Sequence, residues 1–276
     1  MTGASGQLGH DVVKHLITKS HTALTPSHKE LDIADCDSTS KYFKDYLPDS
    51  VIHCAAWTSV DLAEDNIDRC RAVNVNGTEN IVKECKTRNI PLLYVSTDYV
   101  FDGSGNKPWT VNDEPSPINA YGLSKYDGEK IVLTHPLHFI LRTSWLFGCT
   151  GNNFVKTIIE KTNTTDALRV VSDQIGSPTY SADLAPLILD MVMSDKYGTY
   201  HAHNDGFCSW YDVAVEILRA AEIDREIIPI SSSQFPTKAV RPLNCRLDVS
   251  SLKNNGFYNL PHWKNAIKRF VQTIKT

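Results

Sequence analysis

The sequence predicts an α/β fold, a doubly wound parallel sheet with a smaller C-terminal α/β lobe. Short, continuously apolar runs alternate with longer helical patterns through the first half of the chain, and such runs are typical of parallel strands that are buried on both faces. The second observation is a glycine-rich turn at the start of the chain, just before a helical pattern. This fold places a tight turn of that kind between its first strand and its first helix.

In the first half, four apolar runs predict strands and three longer segments predict helices. The strands are residues 22–25, 51–56, 92–96 and 139–142, and the helices follow the glycine turn and cover 68–88 and 120–133. In the second half the signals are more mixed. There we expect helices over 152–161, 181–193 and 210–221, and strands over 168–171 and 198–203.

The glycine turn predicts a site for a pyrophosphate. Glycines let a tight turn bring backbone N–H groups and a helix N-terminus against a phosphate, and the residues expected to do so are Gly3, Ser5, Gly6, Gln7, Leu8 and Gly9. A glycine-rich turn that merely precedes a helix is the alternative. On the first interpretation, residues 1–145 plus roughly 172–195 form a Rossmann-type dinucleotide-binding domain. Roughly 146–171 and 196–276 then form a substrate-binding lobe.

The strand that should precede the turn is largely missing, because the chain starts at Met1 and Thr2. In a doubly wound sheet the first strand is central, so its absence would leave two rows of backbone hydrogen-bonding groups unpaired. We therefore expect a chain that is shortened at its N-terminus by a few residues. Upstream sequence without apolar, strand-forming residues would contradict this expectation.

Composition excludes several classes of function. The 276 residues are 41% hydrophobic and 22% charged, as in an ordinary globular protein. The net charge of −4 gives no reason to expect a nucleic-acid partner, and no apolar run is long enough to span a membrane. The seven cysteines are scattered without a Cys-x-x-Cys pair. They indicate reduced thiols in a cytoplasmic protein rather than a disulfide framework.

The turn after the predicted second strand bears on which dinucleotide binds. A carboxylate there favours NAD, whereas a basic or hydroxyl-rich turn favours the 2′-phosphate of NADP. Ser27, His28 and Lys29 therefore favour NADPH, with NADH and a merely solvated turn as the alternatives. Asp32 and Ile33 follow and could border the adenine.

Two Tyr-x-x-x-Lys pairs fall on one predicted helix, Tyr121 with Lys125 and Tyr126 with Lys130. Residues four apart share a helix face, and there the ammonium can lower the pKa of the phenol so that it exchanges a proton near neutral pH. Five residues rotate a helix by about 140°, so only one pair can face a cofactor. The first pair is favoured because it lies at the helix start. Thr97, at a strand end, either completes a carbonyl-reducing site or caps the backbone.

Other polar clusters have plainer interpretations. Asp98 and Asp102 suggest a carboxylate pair or a metal site, but loop solvation or capping is favoured. His201 and His203 would share one face of a strand. Since no third ligand is evident, a structural pair is favoured over a metal site. The sequence therefore assigns no metal ligand.

Several longer motifs resemble the dTDP-4-dehydrorhamnose reductases of the extended short-chain dehydrogenase/reductase family, over nearly the whole chain. They are residues 2–9, 55–64, 96–103, 121–129, 142–148, 151–154, 173–179 and 241–242. The later motifs are much more specific than the glycine turn or Tyr-x-x-x-Lys. The sequence departs from the family at Cys54, at Trp57 and in its missing first strand.

The resemblance implies NAD(P)H-dependent reduction of the C4 ketone of a dTDP-linked 6-deoxysugar, the last step to dTDP-L-rhamnose. Tyr121 would protonate the carbonyl oxygen, Lys125 would hold the nicotinamide ribose, and Thr97 would hydrogen-bond the reacting oxygen. Ala55 and Ala56 would join the cofactor site. The substrate site would comprise Thr58, Val60, Thr97, Asp98, Trp145, Asn152, Asn153 and Arg241, the last as a diphosphate contact.

The resemblance leaves three points open. Some family members use a divalent metal at a dimer contact, and Asp11 is at one possible position for it but is not assigned as a ligand, so Mg²⁺ and a homodimer both stay open. A nucleotide-sugar epimerase or dehydratase is one alternative, although Tyr99 stands where a dehydratase needs an acid. A non-catalytic subunit, like the β subunit of methionine adenosyltransferase, is the other. The set of Thr97, Tyr121 and Lys125 favours the reductase.

Overall fold

The computed structural model describes residues 1–275. The helices are α1 (Gln7–Thr18), α2 (Cys36–Tyr46), α3 (Val60–Asp65), α4 (Ile67–Arg71), α5 (Gly77–Arg88), α6 (Ala120–Val132), α7 (Phe154–Thr162), α8 (Ser181–Val192), α9 (Trp210–Ala221), α10 (Ser250–Asn254) and α11 (Trp263–Lys275). The strands are β1 (Val51–His53), β2 (Leu92–Thr97), β3 (His138–Thr143), β4 (Leu146–Phe147), β5 (Ala167–Val171), β6 (Ile175–Gly176), β7 (Thr179–Tyr180), β8 (Gly198–His201), β9 (Asn204–Asp205), β10 (Cys208–Ser209), β11 (Glu226–Ile230) and β12 (Leu260–His262). A π-helical turn (Ala72–Asn76) joins α4 to α5.

A parallel sheet of order β1-β2-β3-β8 forms the centre of the molecule. Its register places Ser96 beside Arg142 and Thr97 beside Thr143, so the residues at the carboxyl ends of β2 and β3 are neighbours. Open parallel sheets bind ligands beyond the carboxyl ends of their strands. A ligand site is therefore expected at this edge of the sheet.

The first strand is reduced to a single bridge between Thr2 and His53. The prediction of a strand over 22–25 is wrong, since these residues form no regular strand. The physical reason is that the adjacent N-terminal segment is short. Met1 and Thr2 offer few backbone groups with which residues 22–25 could pair. The Met1 ammonium does donate to the Leu24 carbonyl at 2.7 Å, which ties the segment to the sheet.

The helix predicted over 68–88 is interrupted by the π-helical turn. In this turn Asn74 is buried, and its amide contacts both backbone groups of Trp57. The amide oxygen accepts from the Trp57 N–H at 2.8 Å, and Nδ2 donates to the Trp57 carbonyl at 3.1 Å. Nδ2 also lies 2.9 Å from the Ser124 hydroxyl. Such turns are frequent at functional sites, and this one ties the loop after β1 to α6.

Helices cover both faces of the sheet, as a doubly wound fold requires. On one face α1 and α8 pack through Val12, Leu184 and Ile188, and on the other α2 and α5 bury Phe43 and Ile81. A separate core joins α7, α9 and α11 to the parallel pair of β5 and β11. No helix within residues 1–275 has the length and apolar character needed to cross a membrane.

The division into two lobes stays a prediction, and three features bear on its boundaries. Within the range 196–276, which the sequence assigns to the second lobe, β8 lies in the central sheet. Leu252 and Leu260 of the same range pack into the core of that sheet. Helix α8, from the range 172–195, packs against α1.

Candidate active site

The glycine turn packs closely against the loop that follows β1. Gly3 has a φ of +67°, in the left-handed region that favours glycine, and a Cβ built there would meet the Ala55 nitrogen at 2.6 Å. A Cβ on Gly9 would collide with the Gly3 carbonyl oxygen. Gly6 is the N-cap of α1 and provides no side-chain acceptor. The N–H groups of the first turn are therefore available to a ligand, and the turn fits a pyrophosphate.

A cavity of about 730 Å³ extends from this turn across the carboxyl ends of β1 and β2. Its lining includes all twelve residues that the sequence predicts for the cofactor: Gly3, Ser5, Gly6, Gln7, Leu8, Gly9, Asp32, Ile33, Ala55, Ala56, Tyr121 and Lys125. Thr58 and Asn152 of the predicted substrate site line it too. Sequence reasoning missed Val73, on the π-helical turn, and Leu146. No motif includes Val73, and although Leu146 lies in the motif over 142–148, only the folded chain shows that it reaches the cleft.

Tyr121 and Lys125 reach this cavity from the first two turns of α6. The helix begins after Asn119, whose side chain accepts from the Gly122 N–H at 2.8 Å and caps the helix. The Lys125 ammonium is buried and donates to the Val95 carbonyl at 2.8 Å. The cap thus fixes the start of the helix that carries both side chains.

The second Tyr-x-x-x-Lys pair lies on a different side of α6. The Tyr126 hydroxyl donates to Glu114 at 3.1 Å, at an exposed position. Lys130 forms an ion pair with Asp127 at 2.6 Å. Neither Tyr126 nor Lys130 lines the cavity, so the geometry favours Tyr121 and Lys125 as the pair that faces a cofactor.

Burial controls the protonation of both groups. It raises the pKa of Tyr121, and a hydrogen bond with Thr97 offsets only part of the rise. It lowers the pKa of Lys125 to about 7, against the opposing charge of Glu129. The expected lowering of the Tyr121 pKa by Lys125 is not seen, because desolvation of the phenol dominates and the ammonium is bound to the Val95 carbonyl. Tyr121 is therefore a protonated phenol at neutral pH, able to donate its proton.

The Thr97 hydroxyl is held by its own neighbours. It donates to Asp98 Oδ1 at 3.0 Å and accepts from the Tyr99 N–H at 3.2 Å. Asp98 is buried, and within the described chain its Oδ2 atom has no hydrogen-bond partner. Burial raises the pKa of Asp98 to about 6. Hydrogen bonds to the ionised carboxylate oppose part of this rise. An ionised Asp98 can only accept and takes the Thr97 hydrogen, whereas a protonated Asp98 can donate to the Thr97 oxygen, which frees the hydroxyl hydrogen for a ligand.

Trp145 connects the sheet edge to a second cavity. Its φ of +47° is strained for a bulky residue, and its ring stacks on Trp210 with centroids 3.8 Å apart. Trp210 lines the second cavity, of about 620 Å³, together with the basic residues Lys161, Arg169 and Arg241. Cations beside aromatic rings suit an anionic ligand that also has a planar ring.

Arg241 has two partners at the rim of this cavity. Its guanidinium forms an ion pair with Asp61 at 2.6 Å and donates to the Tyr99 hydroxyl at 3.2 Å. Sequence reasoning missed Asp61, although it lies in the motif over 55–64 and directly follows Val60. Val60 itself lines neither cavity, and the same holds for Thr97, Asp98, Trp145 and Asn153.

Asn153 and Asp11 are engaged in contacts within the chain. Asn153 caps α7 and donates to Gln7 Oε1 at 3.0 Å, which joins that helix to the glycine turn. Asp11 is bound to His10 at 3.2 Å and to the Ser181 hydroxyl. The described part of the chain contains no group of three or more His, Cys, Asp or Glu side chains that could hold a metal ion.

Comparison with known proteins places the chain in a family. The profile described as RmlD substrate binding domain matches residues 1–276. The chain belongs to this family. A dTDP-4-dehydrorhamnose reductase of Aggregatibacter actinomycetemcomitans is 38% identical, over 97% of this chain and 96% of its own length. The spore coat polysaccharide biosynthesis protein SpsK of Bacillus subtilis is 36% identical, over 99% and 96%.

Solved structures of family members share the fold throughout. A dTDP-4-dehydrorhamnose reductase of Bacillus anthracis, in complex with NADP, has a TM-score of 0.96 and 39% identity, covering 100% of this chain and 98% of its own. An ortholog from Clostridium acetobutylicum has a TM-score of 0.97 and 38% identity with the same coverage. A UDP-glucose 4-epimerase of Thermus thermophilus, 18% identical with a TM-score of 0.85, shares the fold alone. The predicted Rossmann-type fold and family are confirmed.

A paired substitution tests the close approach at the glycine turn. Gly3 and Gly105 have nearly the same φ, +67° and +69°, but a Cβ on Gly105 would meet nothing within 4 Å. Backbone strain is thus matched, and Gly3→Ala should lower the free energy of unfolding by about 1–3 kcal/mol more than Gly105→Ala. Chemical denaturation of both variants measures the difference, and equal losses would show that the contact with Ala55 does not matter.

Asp98 should destabilise the fold once it is ionised. Its pKa of about 6 in the folded chain exceeds the ordinary 3.8, so folding becomes less favourable as the pH rises from about 4 to 6. We expect Asp98→Asn to raise the free energy of unfolding by about 2–3 kcal/mol at pH 8 and by little at pH 4. Urea denaturation at the two pH values measures this, with Asp49→Asn as the exposed control. A gain of equal size at both values would contradict the assignment.

Proposed function

We propose that this protein is an NAD(P)H-dependent reductase that converts dTDP-4-dehydro-6-deoxy-L-mannose to dTDP-L-rhamnose by reducing the C4 ketone. The observation that carries the proposal is the position of a half-buried, protonated Tyr121 and of Lys125 in the same cleft as the glycine turn. Full-length similarity to dTDP-4-dehydrorhamnose reductases, at 38% and 36% identity for two of them, supports it. Fold alone would not, since epimerases share it.

The side chains of the cleft divide the work of ketone reduction. The nicotinamide, when bound, supplies the hydride. Tyr121 gives its proton to the carbonyl oxygen as negative charge develops there, and its raised pKa keeps the proton in place until that moment. The Lys125 ammonium, held at the Val95 carbonyl, binds the nicotinamide ribose. Thr97 donates to the same oxygen when Asp98 is protonated and has released the hydroxyl hydrogen.

The second cavity is the proposed site of the nucleotide part of the substrate. Arg241, with Lys161 and Arg169 on the same cavity wall, supplies charge for a diphosphate. Trp145, stacked on Trp210, presents a ring at the passage towards the sheet edge, where the sugar would lie. Thr58, Val60, Asn152 and Asn153 complete the proposed substrate site together with Asp98.

NADPH is the proposed cofactor, and NADH is the alternative. Ser27 and His28 line the cleft next to the glycine turn. The Glu30 carboxylate accepts from the N–H and the hydroxyl of Ser27, at 2.8 and 2.7 Å. His28 is therefore the donor that this turn offers to a 2′-phosphate, and the related reductase of Bacillus anthracis is a complex with NADP. A homodimer and a cytoplasmic location complete the proposal, and the free thiols of all seven cysteines support the latter.

Turnover of the purified protein tests the function. The protein is given dTDP-4-dehydro-6-deoxy-L-mannose with NADPH and, separately, with NADH, and both dinucleotide oxidation and dTDP-L-rhamnose are measured. We expect product with at least one dinucleotide and faster turnover with NADPH. If the protein instead shows no ketone turnover and is recovered in a stoichiometric complex with a methionine adenosyltransferase, the result would support the role of a regulatory subunit.

Removal of one hydroxyl should separate the two tyrosines of α6. We expect Tyr121→Phe to lower kcat by about 10²–10⁴-fold, the usual contribution of a positioned proton donor, with dinucleotide affinity nearly unchanged. Tyr126→Phe loses only a hydroxyl that is bound to Glu114 at the surface and should keep the original rate. Steady-state kinetics and dinucleotide fluorescence measure the two effects. The reverse pattern would assign the proton donor to Tyr126.

A further inference from the structure

A buried ion pair lies one helical turn beyond Lys125. The Glu129 carboxylate accepts from Arg142 Nε at 2.9 Å and from Nη2 at 2.6 Å, a two-pronged arrangement. The Ser96 hydroxyl donates to the same carboxylate at 2.5 Å. Glu129 and Arg142 are 1% and 5% exposed, so both charges are removed from water.

Stability alone is a weak reason for such a pair, because desolvation of two ions offsets much of their attraction and apolar replacements are often as stable. Among the groups around the Arg142 guanidinium, Glu129 is the anionic partner. On its other sides are the Phe101 ring, 5.1 Å from the guanidinium carbon, and His201, with Nε2 at 3.4 Å from Nη1. Burial lowers the pKa of His201, which is therefore neutral. The two-pronged contact with Arg142 thus fixes the orientation of the Glu129 carboxylate.

The pair belongs to a continuous seam between β2 and α6. Three consecutive residues of the strand each contact one of three helix residues that are spaced a turn apart. These contacts are Val95 with Lys125, Ser96 with Glu129 and Thr97 with Tyr121. A shift of α6 that breaks the Glu129 contact therefore also displaces the phenol and the ammonium proposed for catalysis.

Glu129 also supplies the charge that opposes desolvation of Lys125. Burial lowers the pKa of Lys125, and the negative charge of Glu129 is the largest influence that raises it. The other titratable groups near the ammonium are neutral at pH 7, because burial raises the pKa of each phenol and thiol and lowers that of the imidazole. They are Tyr94 on β2, His53 and Cys54 at the end of β1, Cys70 on α4 and Tyr121 on α6 itself.

We propose that Glu129, fixed by Arg142, is a positioning residue that docks α6 on β2 and supplies the negative charge which keeps Lys125 protonated in its buried site. The role of Lys125 in catalysis rests on the proposed function. The charge relation between Glu129 and Lys125 is a property of the folded chain and needs no turnover to be measured.

Titration of Lys125 tests the proposal directly. Lysine labelled with ¹³C at Cε is followed by NMR from pH 5 to pH 10, and the Lys125 signal is the one that Lys125→Met removes. Glu129→Gln keeps the shape of the side chain and removes its charge, so the midpoint of Lys125 should fall by about one pH unit. An unchanged midpoint in a folded Glu129→Gln protein would overturn the proposal.

Two further variants separate charge from simple bracing. In Glu129→Gln/Arg142→Met both buried charges are gone, so no unpaired guanidinium remains to perturb folding. We expect its Lys125 midpoint to stay low, whereas a return to the original midpoint would show that the unpaired Arg142 guanidinium caused the shift in Glu129→Gln and would overturn the charge role of Glu129. Glu84→Gln is the matched control, because Glu84 is also a buried glutamate paired with an arginine, Arg88, but lies on α5. It should leave the Lys125 midpoint unchanged.

The pH profile of kcat/KM provides the second readout. In Glu129→Gln we expect activity to fall about tenfold at pH 8 and to recover towards the original value at pH 6, where Lys125 is protonated again. A loss of equal size at both pH values would assign Glu129 a purely structural role. If the proposed function fails, the unaltered protein shows no turnover while the shift in the NMR midpoint persists, so the two failures are distinguishable.

Discussion

The seam between β2 and α6 is the contact on which the rest of the site depends. It combines a backbone acceptor, a serine hydroxyl and a threonine hydroxyl on the strand with a lysine, a glutamate and a tyrosine on the helix. The Tyr94 hydroxyl adds a bond to the Lys125 carbonyl at 3.3 Å. Because Ser96, Thr97, Lys125 and Glu129 are buried, their bonds cannot be exchanged for water at low cost. The helix is thereby held in one axial position and one rotation, and the Tyr121 phenol is placed by the same constraint.

Desolvation then decides which groups carry protons. It leaves Tyr121 protonated, brings the pKa of Lys125 to about 7 and brings that of Asp98 to about 6. A reductase needs a proton donor that still carries its proton when the hydride arrives. A neutral phenol is such a donor even when its pKa is not lowered. In the folded chain, burial is the largest influence on the pKa of both Tyr121 and Lys125. Nearby carboxylates adjust them.

The gathering of the predicted cofactor residues in one cleft was predictable because their signals are local. The glycine turn, residues 55–56 and the Tyr121/Lys125 pair are each set by short-range geometry, namely a left-handed glycine, a strand end and one helical turn. The strand over 22–25 was not predictable, since strand formation depends on a partner whose length the segment itself does not encode. Asp61 and Val73 were missed for the same reason. Their roles arise from contacts with Arg241 and with the cleft that only the folded chain creates.

The site lies where two cores meet, and this position explains why a long, two-part ligand suits it. The carboxyl end of β3 leads into Trp145, whose left-handed backbone costs about 1–3 kcal/mol and turns its ring onto Trp210 of the second core. From the opposite side, Arg241 crosses to Asp61 on α3, which belongs to the sheet half of the molecule. One core supplies the proposed proton donor and the glycine turn, and the other supplies the basic residues of the second cavity. A ligand that engages both must therefore span the Trp145 junction, with its anionic part in one cavity and its reactive carbonyl beside Tyr121.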